Sequence, residues 1–166
     1  MKGELFKNKV IVSDNPSISK LYGKRSYGSI QDKRLHLSIL EAYYLFRNGK
    51  LEIYDGDTLL DEGRIDALVE SEKDFNEKYA VYKDLRDRAY IVKTGFKYGS
   101  HFRVYRNSIE EHAEYLVCSY IEHGTIDTNE LIKQARLAHS VKKKLVIALV
   151  DEENDITYYS VGRMKI

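Results

Sequence analysis

The apolar run from Leu145 to Val150 limits the possible folds more than any other segment of this sequence. Three lysines, Lys142, Lys143 and Lys144, precede it, and Asp151 follows it. An apolar run between charged ends is typical of a strand buried in a sheet, and it is far shorter than the roughly 20 residues of a membrane-spanning helix. The run therefore predicts a buried strand in a mixed α/β unit that has helices at its flanks.

The rest of the C-terminal half alternates between helix and strand patterns. Val81, Leu85 and Ala89 are four residues apart, as on one face of a helix. Asp127 and Glu130 have the spacing of a second helix start. We predict helices over 75–89 and 127–139, and strands over 90–93, 102–105, 115–121 and 156–166.

The N-terminal half carries one strong helix signal. Ser38 and Glu41 have the spacing of a capping box, and Gly49 stops the helix, so we predict a helix over 39–48. Weaker patterns predict strands over 3–13 and 50–54, a short helix over 18–22 and a surface helix within 60–74.

The polar, acidic stretch 60–74 ends at a predicted boundary between two domains, 1–74 and 75–166. The predicted fold class is α+β. A small mixed α/β N-terminal domain precedes a C-terminal α/β domain, which has a central mixed sheet flanked by helices.

Composition excludes several classes of protein. The 166 residues contain 27 Lys and Arg against 26 Asp and Glu, and a net charge of +1 excludes a uniformly basic nucleic-acid coat but not a local basic patch. The single cysteine, Cys118, excludes a disulfide framework and a cysteine-based zinc site within one chain. The five histidines lie too far apart for a local metal motif, and the first residues do not form a signal peptide. We expect a soluble, cytoplasmic, globular protein with no metal site.

A basic cluster follows the second helix of the C-terminal half. Lys133 and Arg136 lie on that helix, and the lysine triplet 142–144 comes after it. If the helix extends to Lys143, then Arg136 and Lys143, which are seven residues apart, lie on one side of it. One interpretation is a solvated helix end whose cations are stabilised by the helix dipole. The other is a phosphate-binding patch, since phosphates are bound by arginine and lysine.

A polar loop over 106–113, the His112 loop, carries the residue best suited to proton transfer. Imidazole titrates near neutral pH, so His112 is either an ordinary surface residue or a proton donor or acceptor. Ser108 and Glu111 also have the spacing of a helix start within this loop. Tyr105 ends the strand before the loop.

Tyrosine, histidine and lysine side chains together can cleave RNA without a metal ion. One group takes the 2′-hydroxyl proton, one protonates the leaving 5′-oxygen, and a cation stabilises the charged transition state.

Three ordered segments of the chain resemble the archaeal tRNA-splicing endonuclease family. Residues 79–105 end in Phe-Arg-Val-Tyr, residues 112–117 read His-Ala-Glu-Tyr-Leu-Val, and residues 136–145 contain the lysine triplet. The resemblance implies an enzyme that cuts precursor tRNA at introns held in a bulge-helix-bulge structure. It also implies cleavage without metal or cofactor, which leaves 2′,3′-cyclic phosphate and 5′-hydroxyl ends.

The resemblance also implies roles for individual residues. The family's catalytic tyrosine, histidine and lysine map to Tyr105, His112 and Lys143, as general base, general acid and transition-state stabiliser respectively. A family arginine that stacks on an extruded bulge base maps to Arg136, and Arg163 is our candidate for the second arginine of that sandwich. Arginine fits this role because its planar cation stacks on aromatic faces.

The family assembles as a tetramer or pseudo-tetramer, in which an acidic loop of one subunit enters a basic cleft of another. The acidic turn of this chain (Asp151, Glu152, Glu153 and Asp155) fits that loop, although charge alone favours an ordinary hairpin turn. The final strand, 157–161, resembles the family's dimerising edge, and an exposed edge strand needs a partner.

One chain that carries both the active site and the acidic turn implies a homotetramer, a dimer of dimers. One alternative is the catalytic subunit of a heterotetramer with a separate structural subunit. Another is a non-catalytic structural subunit or RNA-binding module of the same fold, which the presence of all three catalytic residue types disfavours.

His101 departs from the family's pattern, which often has an aspartate at this point. The substitution is expected to place a second histidine near the active site. We interpret His101 as a structural substitution.

Overall fold

Eleven strands form two separate sheets, and five α-helices accompany them. The structure is a computed structural model that describes all residues from Met1 to Ile166. The chain divides into two compact units, Met1–Phe75 and Asn76–Ile166. The strands are β1 (Lys2–Phe6), β2 (Lys9–Val12), β3 (Ser29–Gln31), β4 (Arg34–Ser38), β5 (Glu52–Asp55), β6 (Thr58–Leu59), β7 (Ile91–Thr94), β8 (Phe102–Tyr105), β9 (Tyr115–Ile121), β10 (Lys144–Val150) and β11 (Ile156–Val161). The helices are α1 (Asn15–Ile18), α2 (Ile39–Arg47), α3 (Glu62–Glu70), α4 (Phe75–Asp87) and α5 (Thr128–Ser140). No helix is both long enough and apolar enough to cross a membrane.

The N-terminal unit is built on a six-stranded sheet in the order β3-β4-β2-β1-β5-β6. β1 and β5 run parallel, and the other pairs are antiparallel. Val10 and Val12 of β2 and Leu35 and Leu37 of β4 are fully buried on the face that α2 covers. This alternation is what a half-buried antiparallel sheet requires.

Part of this sheet is absent from the predictions. The sequence patterns indicate no strand over 29–38 or 58–59, yet β3, β4 and β6 form there. All residues of β3 and β6 are exposed, so these two strands have no apolar alternation that could reveal them. The short helix predicted over 18–22 forms as a π-helical turn, Ser19–Gly23, which continues directly from α1. Helical structure begins earlier than predicted, because the Asp14 carboxylate accepts a hydrogen bond from the Ser17 N–H at 2.9 Å and caps α1 at its start.

The capping box of α2 is confirmed, and it does more than start the helix. Ser38 Oγ accepts a hydrogen bond from the Glu41 N–H at 3.2 Å, and Glu41 Oε2 accepts one from the Ser38 N–H at 3.0 Å. Glu41 Oε1 also accepts a hydrogen bond from the Gly28 N–H at 2.8 Å. Gly28 has φ +61°, and a Cβ there would lie 2.4 Å from the His36 carbonyl oxygen, so only glycine fits this approach. Glu41 therefore joins the helix start to a distant turn.

Replacing Glu41 with alanine is expected to destabilise the N-terminal unit by about 2–3 kcal/mol, because the partly buried hydrogen bonds from the N–H groups of Gly28 and Ser38 lose their acceptor. Glu41 is only 8% exposed, so water cannot readily replace the carboxylate. Urea unfolding of Glu41→Ala beside Glu70→Ala, an exposed glutamate at the end of α3, measures the difference. Equal midpoints for the two variants would contradict this account.

The C-terminal unit contains a five-stranded mixed sheet in the order β11-β10-β9-β8-β7. β9 and β10 are parallel and are connected through α5, whereas the other pairs are antiparallel. The apolar run at 145–150 forms β10, next to the sheet's edge strand β11, and is mostly buried as predicted. With this unit, the predicted α+β fold class is confirmed.

Helices α4 and α5 contact opposite faces of this sheet. On one face, Tyr82 of α4 lies against Phe102, with ring centroids 5.9 Å apart, and Asp84 accepts a hydrogen bond from the Tyr158 hydroxyl at 2.7 Å. On the other face, α5 packs against a buried cluster of Leu116, Cys118, Ala138, Leu145 and Ile147. Burial raises the pKa of the Cys118 thiol to about 11.

The final strand is shorter than predicted, whereas helix α5 ends close to its predicted end. The strand expected over 156–166 ends at Val161, because Val161 pairs with Leu145 near the start of β10 and the chain before β10 turns away from the sheet. Helix α5 ends at Ser140 and is followed by Lys142 at φ +56°. Residues 162–166 therefore lie outside the sheet.

Candidate active site

The three residues predicted to be catalytic lie on chain segments that meet at one end of the C-terminal sheet. Tyr105 is the last residue of β8, and Lys143 immediately precedes β10. His112 lies in the loop that leads into β9. The first residue of β9, Tyr115, pairs with Val104 of β8 on one side and with Lys144 of β10 on the other. The fold therefore brings together three segments that are distant in sequence.

Tyr105 is buried at the end of β8. Its side chain is 8% exposed, and it pairs in register with Ile91 of β7. It lies on the same face of β8 as Arg103, whose partner Leu116 belongs to the cluster under α5. The phenol is thus held by the sheet itself rather than by a loop.

The His112 loop is irregular, and no helix starts at Ser108. The Glu110 N–H donates to Ser108 Oγ at 3.1 Å, and the Glu111 N–H donates to the Ser108 carbonyl at 3.3 Å, so the Ser108/Glu111 spacing forms only a turn within the predicted loop. His112 is exposed, whereas the next residue, Ala113, is 5% exposed. His112 is therefore the last exposed residue of the loop before the chain becomes buried at Ala113.

Lys143 reaches towards the His112 loop. Its Nζ donates a hydrogen bond to the Ala113 carbonyl oxygen at 3.2 Å, next to His112 in the chain. Its backbone N–H bonds to the Ala138 carbonyl at 2.8 Å, and the Lys142 N–H bonds to the His139 carbonyl at 3.1 Å. These two bonds form the left-handed turn that often ends a helix.

This turn fixes where the lysine triplet lies relative to α5. Because α5 stops before Lys142, close to its predicted end at His139, Lys143 does not lie on the helix, and the condition for Arg136 and Lys143 to share one side of it is not met. Lys144 lies on β10 with its Nζ 3.9 Å from Glu114 Oε1. Of the three lysines, Lys143 is the one whose side chain donates a hydrogen bond to the His112 loop.

Sequence reasoning misses two charged residues at the ends of the His112 loop. Arg106 Nε donates to Glu114 Oε2 at 3.0 Å, and Arg106 Nη2 donates to Glu114 Oε1 at 3.3 Å. The hydrogen bond from Arg106, followed by one with Tyr115, holds the pKa of the Glu114 carboxyl below its usual value. Opposite charges at the two ends of a predicted loop are the signal that could have indicated this pair.

His101 lies at the opposite end of β8 from Tyr105. The two residues are four positions apart along extended chain, which is roughly 13 Å. The expectation that a second histidine lies near the site is therefore wrong. The Ser119 N–H donates to His101 Nδ1 at 3.0 Å, and Ser119 Oγ lies 2.8 Å from the same nitrogen. These contacts give His101 a structural role between β8 and β9.

Comparison with known proteins identifies the family. A model described as tRNA intron endonuclease, catalytic C-terminal domain, matches residues 75–158. A model described as tRNA intron endonuclease, N-terminal domain, matches residues 1–66. The chain belongs to the tRNA intron endonuclease family. The predicted resemblance and enzyme class are thereby confirmed.

Relatives from several archaea are similar to this chain over nearly its full length. A tRNA-splicing endonuclease of Thermococcus kodakarensis is 45% identical over 159 residues, which cover 95% of each chain. One from Methanothermobacter thermautotrophicus is 42% identical over 164 residues, covering 97% of this chain and 96% of the relative. One from Methanococcus maripaludis is 36% identical over 167 residues, covering 98% and 94%.

The two arginines that the family resemblance assigns to base stacking lie on different elements. Arg136 is exposed on α5, the helix that covers one face of the C-terminal sheet. Arg163 is exposed in the segment after β11, not on the last strand as predicted. No group of three or more His, Cys, Asp or Glu side chains is arranged to hold a metal ion.

The acidic turn connects β10 to β11, and its four carboxylates have different environments. The Asp151 carboxylate accepts hydrogen bonds from the N–H groups of Glu153 at 2.9 Å and Asp155 at 2.8 Å, so Asp151 shapes the turn. Glu152, Glu153 and Asp155 are exposed. Three carboxylates are therefore displayed on a turn that the fourth holds in place.

β11 is an edge strand of the C-terminal sheet. It pairs with β10 along one side, and no strand of this chain pairs with its other side. Thr157, Tyr159 and Ser160 are exposed along it. An edge of this length can accept a strand from another chain.

Proposed function

We propose that this chain excises introns from precursor tRNA at bulge-helix-bulge junctions by metal-independent transesterification. The proposal depends most on one observation, the meeting of the Tyr105, His112 and Lys143 segments at the Tyr115 end of the C-terminal sheet. Family membership supports the reaction class, and the unit that contains these segments matches the catalytic-domain model. We therefore assign catalysis to the C-terminal domain, 75–166.

The proposed reaction exchanges one ester bond for another. The 2′-oxygen attacks the adjacent phosphorus, a P–O2′ bond forms, and the P–O5′ bond breaks, leaving a 2′,3′-cyclic phosphate and a 5′-hydroxyl. Tyr105 takes the proton of the 2′-hydroxyl, and His112 gives a proton to the leaving 5′-oxygen. Lys143 stabilises the negative charge that develops on the phosphoryl oxygens. This scheme needs neither a metal ion nor a cofactor.

Substrate recognition and assembly complete the proposal. Arg136 and Arg163, both exposed, stack on an extruded bulge base through their planar cations. Four copies assemble as a dimer of dimers. The unpaired edge of β11 forms one contact, and the exposed carboxylates of the acidic turn enter a basic cleft of another copy.

Cleavage of a bulge-helix-bulge RNA by the purified chain alone, in excess EDTA, tests the proposal. We expect cuts at both bulges with cyclic-phosphate ends and none in a matched RNA whose bulges are closed by base pairs. Light scattering on the same sample should give about four times the chain mass of 19.3 kDa. An inactive homotetramer would contradict the proposed function, and binding of the RNA without cleavage would favour the RNA-binding module.

A further inference from the structure

A bidentate ion pair between Arg106 and Glu114 joins the two ends of the His112 loop. Arg106, the first loop residue, directs Nε and Nη2 at the two carboxylate oxygens of Glu114, at 3.0 and 3.3 Å. Arg106 Nη2 also donates to the Tyr115 hydroxyl at 3.3 Å. A guanidinium that binds both oxygens of a carboxylate fixes orientation as well as distance. The pair therefore closes the loop at its base.

The Glu114 end of the loop is also held by backbone hydrogen bonds. The Glu114 N–H donates to the Val104 carbonyl at 2.9 Å, and the Glu114 carbonyl accepts from the Lys144 N–H at 3.0 Å. Ala113 is buried, and its carbonyl accepts the Lys143 Nζ hydrogen bond. Glu114 is thus fastened to both neighbouring strands. The ion pair with Glu114 therefore restrains Arg106, at the other end of the loop, as well.

His112 needs such support because of where it lies. Its side chain is exposed in a loop without regular structure, so the position of the imidazole depends on the backbone that carries it. A general acid must lie within hydrogen-bond reach of the atom that it protonates, and a misplacement of about 1 Å can lower a rate by about 10²-fold.

We propose that Arg106 and Glu114 are positioning residues, which hold the His112 loop in the geometry that delivers the imidazole to the leaving oxygen. This inference depends on the proposed function, since it assumes that His112 is the general acid. The two side chains are 56% and 31% exposed, so the pair contributes little to overall stability. Its effect is expected in the cleavage rate rather than in folding.

The test measures single-turnover cleavage at saturating enzyme for Arg106→Ala and Glu114→Ala, each made in the wild-type and in the His112→Ala backgrounds. In the wild-type background we expect each variant to lose roughly 10–100-fold in rate with unchanged RNA affinity. In the His112→Ala background the same substitutions should change the residual rate less than about twofold, because residues that act through His112 have nothing left to position. Glu114→Gln keeps the shape but not the charge, and it should lose at least about threefold.

The matched control is the exposed ion pair of α4, in which Lys83 Nζ lies 2.6 Å from Asp87 Oδ2. Asp87→Ala should leave the rate unchanged in both backgrounds. The inference is overturned if Glu114→Ala and Glu114→Gln keep the wild-type rate, or if Glu114→Ala loses the same factor with and without His112. If the wild-type chain does not cleave RNA at all, it is the proposed function that fails.

Discussion

Replacing His112 with alanine is expected to lower the single-turnover cleavage rate by about 10²–10⁴-fold, the range usually supplied by a positioned general acid. The leaving 5′-oxygen would otherwise depart as an unprotonated alkoxide, which is a poor leaving group. RNA affinity should change little, because a neutral or singly charged imidazole contributes little to binding a polyanion that contacts many cations. The measurement is the rate at saturating enzyme beside the dissociation constant from filter binding.

His123→Ala is the matched control for this prediction. His123 is also exposed, but it follows β9, at the end of that strand opposite to the His112 loop. Its removal should leave both rate and affinity unchanged. If His112→Ala lost affinity and rate by the same factor, His112 would be a binding residue and the general acid would have to be sought elsewhere.

The parts of the fold that could be predicted are those that local chemistry determines. The Ser38–Glu41 capping box forms its hydrogen bonds within three residues, and the apolar run at 145–150 carries its burial signal in its own side chains. Both form the predicted elements. β3 and β6 could not be predicted, because their residues are exposed and they form by pairing with β4 and β5. Strand pairing between distant segments leaves no periodic signal in such short sequences.

The residues of the candidate site could likewise be predicted only in part. Residue types and order pointed to Tyr105, His112 and Lys143 through family resemblance, without any statement about geometry. The Arg106–Glu114 pair could not be found by helix or strand periodicity, because it depends on the path of an irregular loop. The sequence left open whether α5 extends to Lys143. The helix ends before Lys142, which adopts a left-handed conformation that non-glycine residues rarely take.

Removal of the Lys143 ammonium should have the second large effect. Lys143→Ala is expected to lower the single-turnover rate by about 10²–10³-fold, the cost typical of losing one fixed donor that faces charge developing in a transition state. The hydrogen bond from Nζ to the Ala113 carbonyl keeps the ammonium beside the segment that carries His112, so little reorganisation is needed when the phosphoryl oxygens gain charge. Pre-steady-state cleavage at saturating enzyme separates this loss from any weakening of RNA binding.

Two further lysine variants make the assignment specific to one residue. Lys83→Ala removes the same charge from the exposed surface of α4 and should leave the rate unchanged. Lys142→Gly removes the neighbouring ammonium while keeping a residue that tolerates φ +56°. A large loss of rate in Lys142→Gly with normal cleavage by Lys143→Ala would move the role by one residue. Equal losses in both would mean that the lysine triplet acts as an undivided patch of charge, and that the 3.2 Å contact with Ala113 does not select the catalytic cation.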